Sequence, residues 1–363
     1  MPKDSTGDQD RDDAMLSALE QQRQSCASLG SQVQVHLLDG LIDDFRSGGT
    51  VRHLLAERKE RPLHDAVPLR LLGGLHRLVL AGIAPRLARH YPTVGGHPGD
   101  SLVSDALDTL NEHTAEIRQS LSRPVQTNEV GRSVVLMAAA RWLHGLGESH
   151  FDLVEVGSSA GLNLFFEQFH APVTAGGWGP VESSVHLSAD AVRRPPPSDG
   201  KTAIAVRRWG SDPNPVNLDD DSQRVGLLSF VWPDHVERFA RLASAVELAR
   251  ADPPRVDTAS ADETVERLRA DELERCTVVF HSIVWQYMGP RVQRRFVDGL
   301  HEVGARSRRG HKLIWLRMEP AGPTADVRAT VWTDDTVEEL VLATVGYHGV
   351  DLNWNPRLAA DDD

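Results

Sequence analysis

The residues with the clearest chemical potential lie together at Glu155-Val-Gly157-Ser158-Ser159-Ala-Gly161-Leu-Asn163. A carboxylate stands before two glycines and three small residues, which let a backbone turn sharply and let a ligand approach it closely. Two chemistries fit this spacing. One is a loop for a nucleoside cofactor such as S-adenosylmethionine, with the glycines making room for its amino-acid end and ribose. The other is a nucleophile elbow, because Gly157-Ser-Ser159-Ala-Gly161 matches G-x-S-x-G. Small residues that merely allow close helix–strand packing are the plainer alternative.

The flanking pattern gives the turn its setting. Leu153, Val154 and Val156 form a short apolar run of the kind a buried strand has. Leu162, Leu164, Phe165, Phe166 and Phe169 recur at helical spacing, so the expected unit is strand, turn, helix, with free helix N–H groups facing the ligand. No convincing strand precedes Phe151. Residues 14–147 read as helical, and residues 1–13 as a polar, disordered tail. A hydrolase elbow follows a central strand, after several others are laid down. Here the elbow follows the first strand, which favours the cofactor loop.

Further candidates fall at expected strand ends. Asp212 follows the strand near 202–208, where such sheets hold ribose hydroxyls. Asp262 follows a short strand at Val256. His281, Trp285 and Tyr287 follow the strand 277–280, where an acceptor would lie, and His281 could take its proton. A polar cluster, Gln126-Thr-Asn128-Glu129-Val-Gly-Arg132, opens the last N-terminal helix and could face a substrate, with Thr127 or Asn128 as a plain N-cap otherwise. His348 beside Gly349 is a rim candidate. Residues 171–200 read as a loop-rich insertion. Alternating strands and helices from 148 to 356, closed by a β-rich stretch, imply an α/β domain with a parallel sheet.

Composition narrows the partners. The chain has 363 residues and a net charge of −13, which argues against coating nucleic acid or anionic membrane. Two cysteines, Cys26 and Cys276, make no disulfide framework or zinc site. No metal-binding histidine pair appears. With no signal-like or membrane-spanning run, a cytoplasmic protein acting on a small molecule is expected.

Several of these segments together resemble the bacterial domain-of-unknown-function family 2332, which looks related to S-adenosylmethionine-dependent methyltransferases. They are Gln126–Arg132, Glu155–Asn163, Arg208-Trp-Gly-Ser-Asp-Pro-Asn-Pro215, Val231-Trp-Pro233, Phe280-His281 with Tyr287, and His348-Gly349 with Trp354. A Ser-Pro-x-Tyr element expected near Ser31 reads Ser31-Gln-Val-Gln34 instead. The resemblance implies a Rossmann-like, class I methyltransferase-type sheet behind a helical N-terminal region. It hands over no activity; on such a fold the positions at strand ends make Glu155, Gly157, Ser158, Ser159, Gly161, Asn163, Asp212 and Asp262 the expected cofactor residues and His281, Tyr287 and His348 the expected catalytic ones. Gln126, Asn128, Glu129, Arg132 and Trp285 would hold the substrate. A serine hydrolase using Ser159, with His348 and an acid such as Asp326, and a non-catalytic binding module are the other readings.

Overall fold

The computed structural model describes residues 5–56, 61–173, 176–308, 311–334 and 336–359. Its chain forms two compact units. The first is helical and joins residues 1–127 with Asp220–Ala243. Its helices are α1 (Ser5–Ser28), α2 (Gln32–Arg46), α3 (Thr50–Leu55), α4 (Val67–Leu80), α5 (Pro85–Ala88), α6 (Leu102–Glu112) and α7 (Thr114–Ser122). The apolar residues of α2 and α4 that recur in sequence, among them Leu37, Leu41, Phe45, Leu71 and Leu75, are buried in one core.

Two expectations are corrected here. α1 begins at Ser5, inside the expected tail, because Met15, Ala18 and Leu19 bury one side of it and Asp12 accepts from Arg52 Nε at 2.9 Å. Met1–Asp4 lie outside the described residues. The boundary also falls earlier than residue 147: the helical unit ends at Thr127 and regains Asp220–Ala243 from later in the chain. Asp234 shows why, since its carboxylate accepts from Ser31 Oγ at 2.5 Å and Val33 N at 3.0 Å and so caps the start of α2.

The second unit runs from Asn128 to Asp219 and from Ser244 onward. It opens with α8 (Ser133–Gly145) and the strands β1 (His150–Val156), β2 (Val192–Arg194) and β3 (Ile204–Asp212). Two helices follow in sequence, α9 (Asp221–Ser229), which belongs to the helical unit, and α10 (Val236–Ala251), which passes from one unit to the other. Then come β4 (Val256–Thr258), α11 (Ala261–Ala270), β5 (Cys276–Ser282), α12 (Pro290–Gly304), β6 (Leu313–Ala321), β7 (Thr324–Thr333), β8 (Thr336–Val345) and β9 (Leu352–Leu358). They make one nine-stranded sheet in the order β2-β9-β8-β7-β6-β5-β1-β3-β4.

The half from β6 to β4 is parallel, as the alternation of strands and helices predicts. The other half is an antiparallel meander from β6 to β9, with β2 of the insertion added in parallel to β9. Pro320, which lacks an N–H, sits in β6 beyond its last partner on β5, so no ladder bond is lost there. From β1 the chain adds β3 and β4 on one side and then crosses to β5 on the other. β1 is therefore the point where the strand order of the parallel half reverses. Among the described residues, no helix is long and apolar enough to cross a membrane.

Candidate functional site

The turn after β1 is held from below and from both sides. Gly157 N and Ser158 N both donate to Ser211 O, at 2.8 and 3.1 Å. Ser159 N donates to Asp212 Oδ2 at 2.9 Å, and Leu162 N to Asn128 Oδ1 at 3.0 Å. Gly157, Ser159 and Gly161 all have positive φ. A Cβ on Gly157 would stand 2.5 Å from Val284 Cγ2, so the glycine is a requirement of the fold.

The segment that follows is not the expected α-helix. Leu162–Gln168 is a 3-10 helix in which Leu162 to Phe166 are all buried. Its four apolar side chains crowd into a segment too short for an α-helical stripe, and it ends where Phe169 becomes extended. Its first amide, Leu162 N, is already taken by Asn128 Oδ1. Asn128 thus anchors the turn rather than capping α8.

Glu155 faces the α8 side of the sheet and is 2% exposed. Asn163 Nδ2 donates to its Oε1 at 3.1 Å, and Ser133 Oγ donates to Asn163 Oδ1 at 2.7 Å. Its Oε2 is buried with no partner. Burial pushes the carboxyl up to about 8, against the pull of the Asn163 amide and the Arg132 charge, and Asp212 adds to the rise. Arg132 also donates to Tyr347 O at 3.0 Å and to Ser282 O at 3.2 Å, tying the ends of β5 and β8 to this segment. Glu129 accepts from Gly131 N at 3.2 Å and stands 3.2 Å from His348 Nδ1, close enough for an ion pair but not aligned for a hydrogen bond. Gly131 and Gly349 pack backbone to backbone: a Cβ on either would fall about 2 Å from a carbonyl oxygen of the other segment.

His281 lies on the other face. Glu155 and Phe280 are cross-strand partners and share a face, so His281, next along β5, points oppositely. It is fully buried, stacks on Trp285 with centroids 5.9 Å apart, and packs against Phe296 of α12 and Trp315 of β6. Its Nδ1 is 2.7 Å from Glu319 Oε1, which also accepts from Val284 N at 3.1 Å and Trp285 N at 3.3 Å. With a carboxylate there, Nδ1 carries the proton and Nε2 is left as an acceptor. The intervening Ile283 has φ 52, a left-handed conformation that a β-branched residue rarely adopts.

Other candidates are placed less centrally. Tyr287 is 71% exposed. Asp262 is buried, with Ser260 Oγ at 2.6 Å and Arg295 at 3.2 Å occupying its carboxylate. Ser158 Oγ turns inward to Ser211 O at 3.3 Å. Gln126 is half-buried and falls in the helical unit. Asp212 is half-buried, its Oδ1 accepting from Asn214 N at 2.8 Å. Beside the turn is a half-open pocket of about 250 Å³, with Ala160, Val216, Leu218, Pro254 and Val256 among its walls. Glu319 and Ser133 were not picked out as site residues by sequence spacing; an acid closing the strand after His281's was the only available sign of the first.

A family model described as an uncharacterized protein conserved in bacteria, domain-of-unknown-function family 2332, matches residues 17–354. The chain belongs to this family. No curated protein and no solved structure matches it. Among the buried polar atoms without hydrogen-bond partners are Glu155 Oε2 and Ser159 Oγ at the β1 end and, on the face opposite Glu155, His281 Nε2 and Glu319 Oε2. Among the described residues, no group of three His, Cys, Asp or Glu side chains is arranged to hold a metal ion.

Proposed function

We propose that this family member is a cytoplasmic S-adenosylmethionine-dependent methyltransferase acting on a small molecule. The observation that carries the reading is Glu155, a buried carboxyl with one bare oxygen at the switch point of the sheet. Such an atom favours a ligand that brings a cation or a donor, as the ammonium of an amino-acid moiety does. Taken in chain order, the five parallel strands stand 3-2-1-4-5, the order of a Rossmann-like sheet, which supports the same reading.

The residues present fit the cofactor part by part. Gly157 lacks the side chain that would close the turn. Asp212 is committed to one amide on each oxygen, yet each oxygen keeps a second lone pair for a ribose hydroxyl. The pocket beside Ala160, walled by Pro254 and Val256 together with Asn217, Asp219 and Arg250, has room for the base, and the carboxylate of Asp262 is already satisfied. The bound cofactor supplies a methyl group on a sulfonium. The protein's part is to orient and exclude water: Asn128 and Asp212 fix the turn, Arg132 fixes the ends of β5 and β8, and Glu155 receives the ammonium.

Ser159 speaks against the hydrolase. Its hydroxyl is buried and has no hydrogen-bond partner, whereas a nucleophilic serine needs a histidine beside it. His348 is engaged near Glu129, and Asp326 near Arg328 at 3.4 Å. Calorimetric titration tests the proposal. S-Adenosylmethionine and S-adenosylhomocysteine should both bind the wild type, and adenosine should bind more weakly. Absence of heat with all three would defeat the reading.

A further inference from the structure

Gly157 leaves room beside the β1 turn, and Val284 fills it. A Cβ built on the glycine would meet Val284 Cγ2, Cβ and Cγ1 at 2.5, 3.2 and 3.4 Å. A ligand resting on that side of the turn needs the valine to move. The backbone on both sides of this contact is strained. Ser159 in the turn has φ 55, and Ile283 beside the valine has φ 52. Left-handed backbone is an outlier for a β-branched residue. Such strain persists only where the surroundings enforce it, and it gathers at ligand clamps and switches. Here hydrogen bonds on either side of Ile283 enforce it. Arg132 Nη1 donates to Ser282 O at 3.2 Å, and Ile283 N donates to Met318 O at 2.9 Å. Beyond it, Glu319 Oε1 accepts from Val284 N at 3.1 Å and from Trp285 N at 3.3 Å. Ile283, Val284 and Trp285 are each only half-buried, so none is locked into the core.

We infer that residues 283–285 are a gate on the β1 turn, with Val284 as its plug, Ile283 as its strained pivot and Glu319 as its latch. The structure holds the closed form. Opening frees Val284 N and Trp285 N from Glu319 and withdraws the valine from Gly157. It also lets Ile283 return to an ordinary backbone conformation, which offsets part of the loss of those two bonds. The gate stands on the contact and the strain. The ligand it admits is the cofactor proposed above, and that part rests on that reading. Only the open fraction binds, so the closed form lowers the apparent affinity in proportion. Val284 and Ile283 then act with opposite sign: the plug opposes binding, and the strain favours it.

Amide hydrogen exchange, followed by NMR on the intact wild type, tests the gate without any ligand. The amides of Val284 and Trp285 should exchange together, through an opening far more frequent than the one that frees Val278 and Val279 in β5. Ile283→Asn suits left-handed backbone without the added freedom of glycine. It should slow both amides about 5-fold or more, since the closed form loses its strain. Val284→Ala should speed them. Calorimetry with S-adenosylhomocysteine then reads the function: Ile283→Asn should weaken binding by a similar factor, and Val284→Ala should tighten it. A valine that only packed the turn would show the reverse, a loss of affinity on truncation. Val284 and Trp285 amides that exchange no faster than the β5 core overturn the inference, as does exchange that Ile283→Asn leaves unslowed. So does S-adenosylhomocysteine binding that Val284→Ala fails to tighten. Joint opening of the two amides in a protein that binds no S-adenosylhomocysteine leaves the gate and removes the methyltransferase.

Discussion

Glu155 makes the sharpest prediction at the residue scale because its protonation is tied to both stability and binding. Its folded value is about 8 against an ordinary 4.5. Below about pH 4.5 both folded and unfolded chains hold the proton, and stability is at its full level. As pH rises toward 8 the unfolded chain releases a proton that the folded chain retains, and stability falls by about 3–5 kcal/mol in all. Glu155→Gln removes that dependence. Denaturant titrations from pH 5 to 9 should show the variant gaining on the wild type as pH rises, and parallel curves would contradict the assignment. A cationic ligand should lower the carboxyl's pKa and expel a proton, so that S-adenosylhomocysteine binds more tightly toward pH 8. Calorimetry in buffers of different ionisation heat would detect that proton.

Ser159 is the second residue-scale test. Its side chain makes no hydrogen bond, so Ser159→Ala should keep cofactor binding within a few-fold, while Ser159→Leu should abolish it in a site this closed. A fluorophosphonate probe should leave the wild type unlabelled. Labelling at Ser159 would restore the hydrolase.

Among the elements, the tight approach of the β1 turn to the segment after β5 governs the site. Gly157→Ala would place a methyl 2.5 Å from Val284 Cγ2 in a backbone with φ 71. Steric conflict and strain together should cost about 1–3 kcal/mol. Adding Val284→Ala should return only the steric part, measured as a double-mutant cycle. Gly131→Ala offers a contrast, because its obstacle is the carbonyl oxygen of His348 rather than a side chain. No truncation of His348 should rescue it, and the loss should appear first as faster hydrogen exchange in the turn between β8 and β9.

At the scale of the whole chain, the helical unit is completed only by residues that arrive after β3. Gly73 of α4 lies against Phe230, and His76 is held at Ser229 O, 3.2 Å away. Burial pulls His76 down to about 4, so it stays neutral at ordinary pH. A fragment of residues 1–127 should therefore unfold without cooperativity, and joining residues 220–243 to it should restore a cooperative transition. A fragment ending at Thr127 that melts as sharply as the intact unit would count against this division of the chain.

Much of the frame was legible in the amino-acid sequence because it rests on local periodicity. The helices of residues 14–147, the absence of strands before β1 among the described residues, and the parallel alternation through β6 all follow from where apolar residues recur. The glycine turn was legible because glycines and small residues between a strand pattern and an apolar run mark a sharp backbone turn, whereas the pressure of Val284 on Gly157 was not. Partnership across long separations was not. Asp234 caps α2 from about two hundred residues away, and β9 becomes a strand by pairing with β8 and β2, with little alternation of its own. The fold also decided what periodicity cannot express: β-strand alternation sends Glu155 and His281 to opposite faces of one sheet, and Glu319 becomes His281's partner only because β5 and β6 lie side by side.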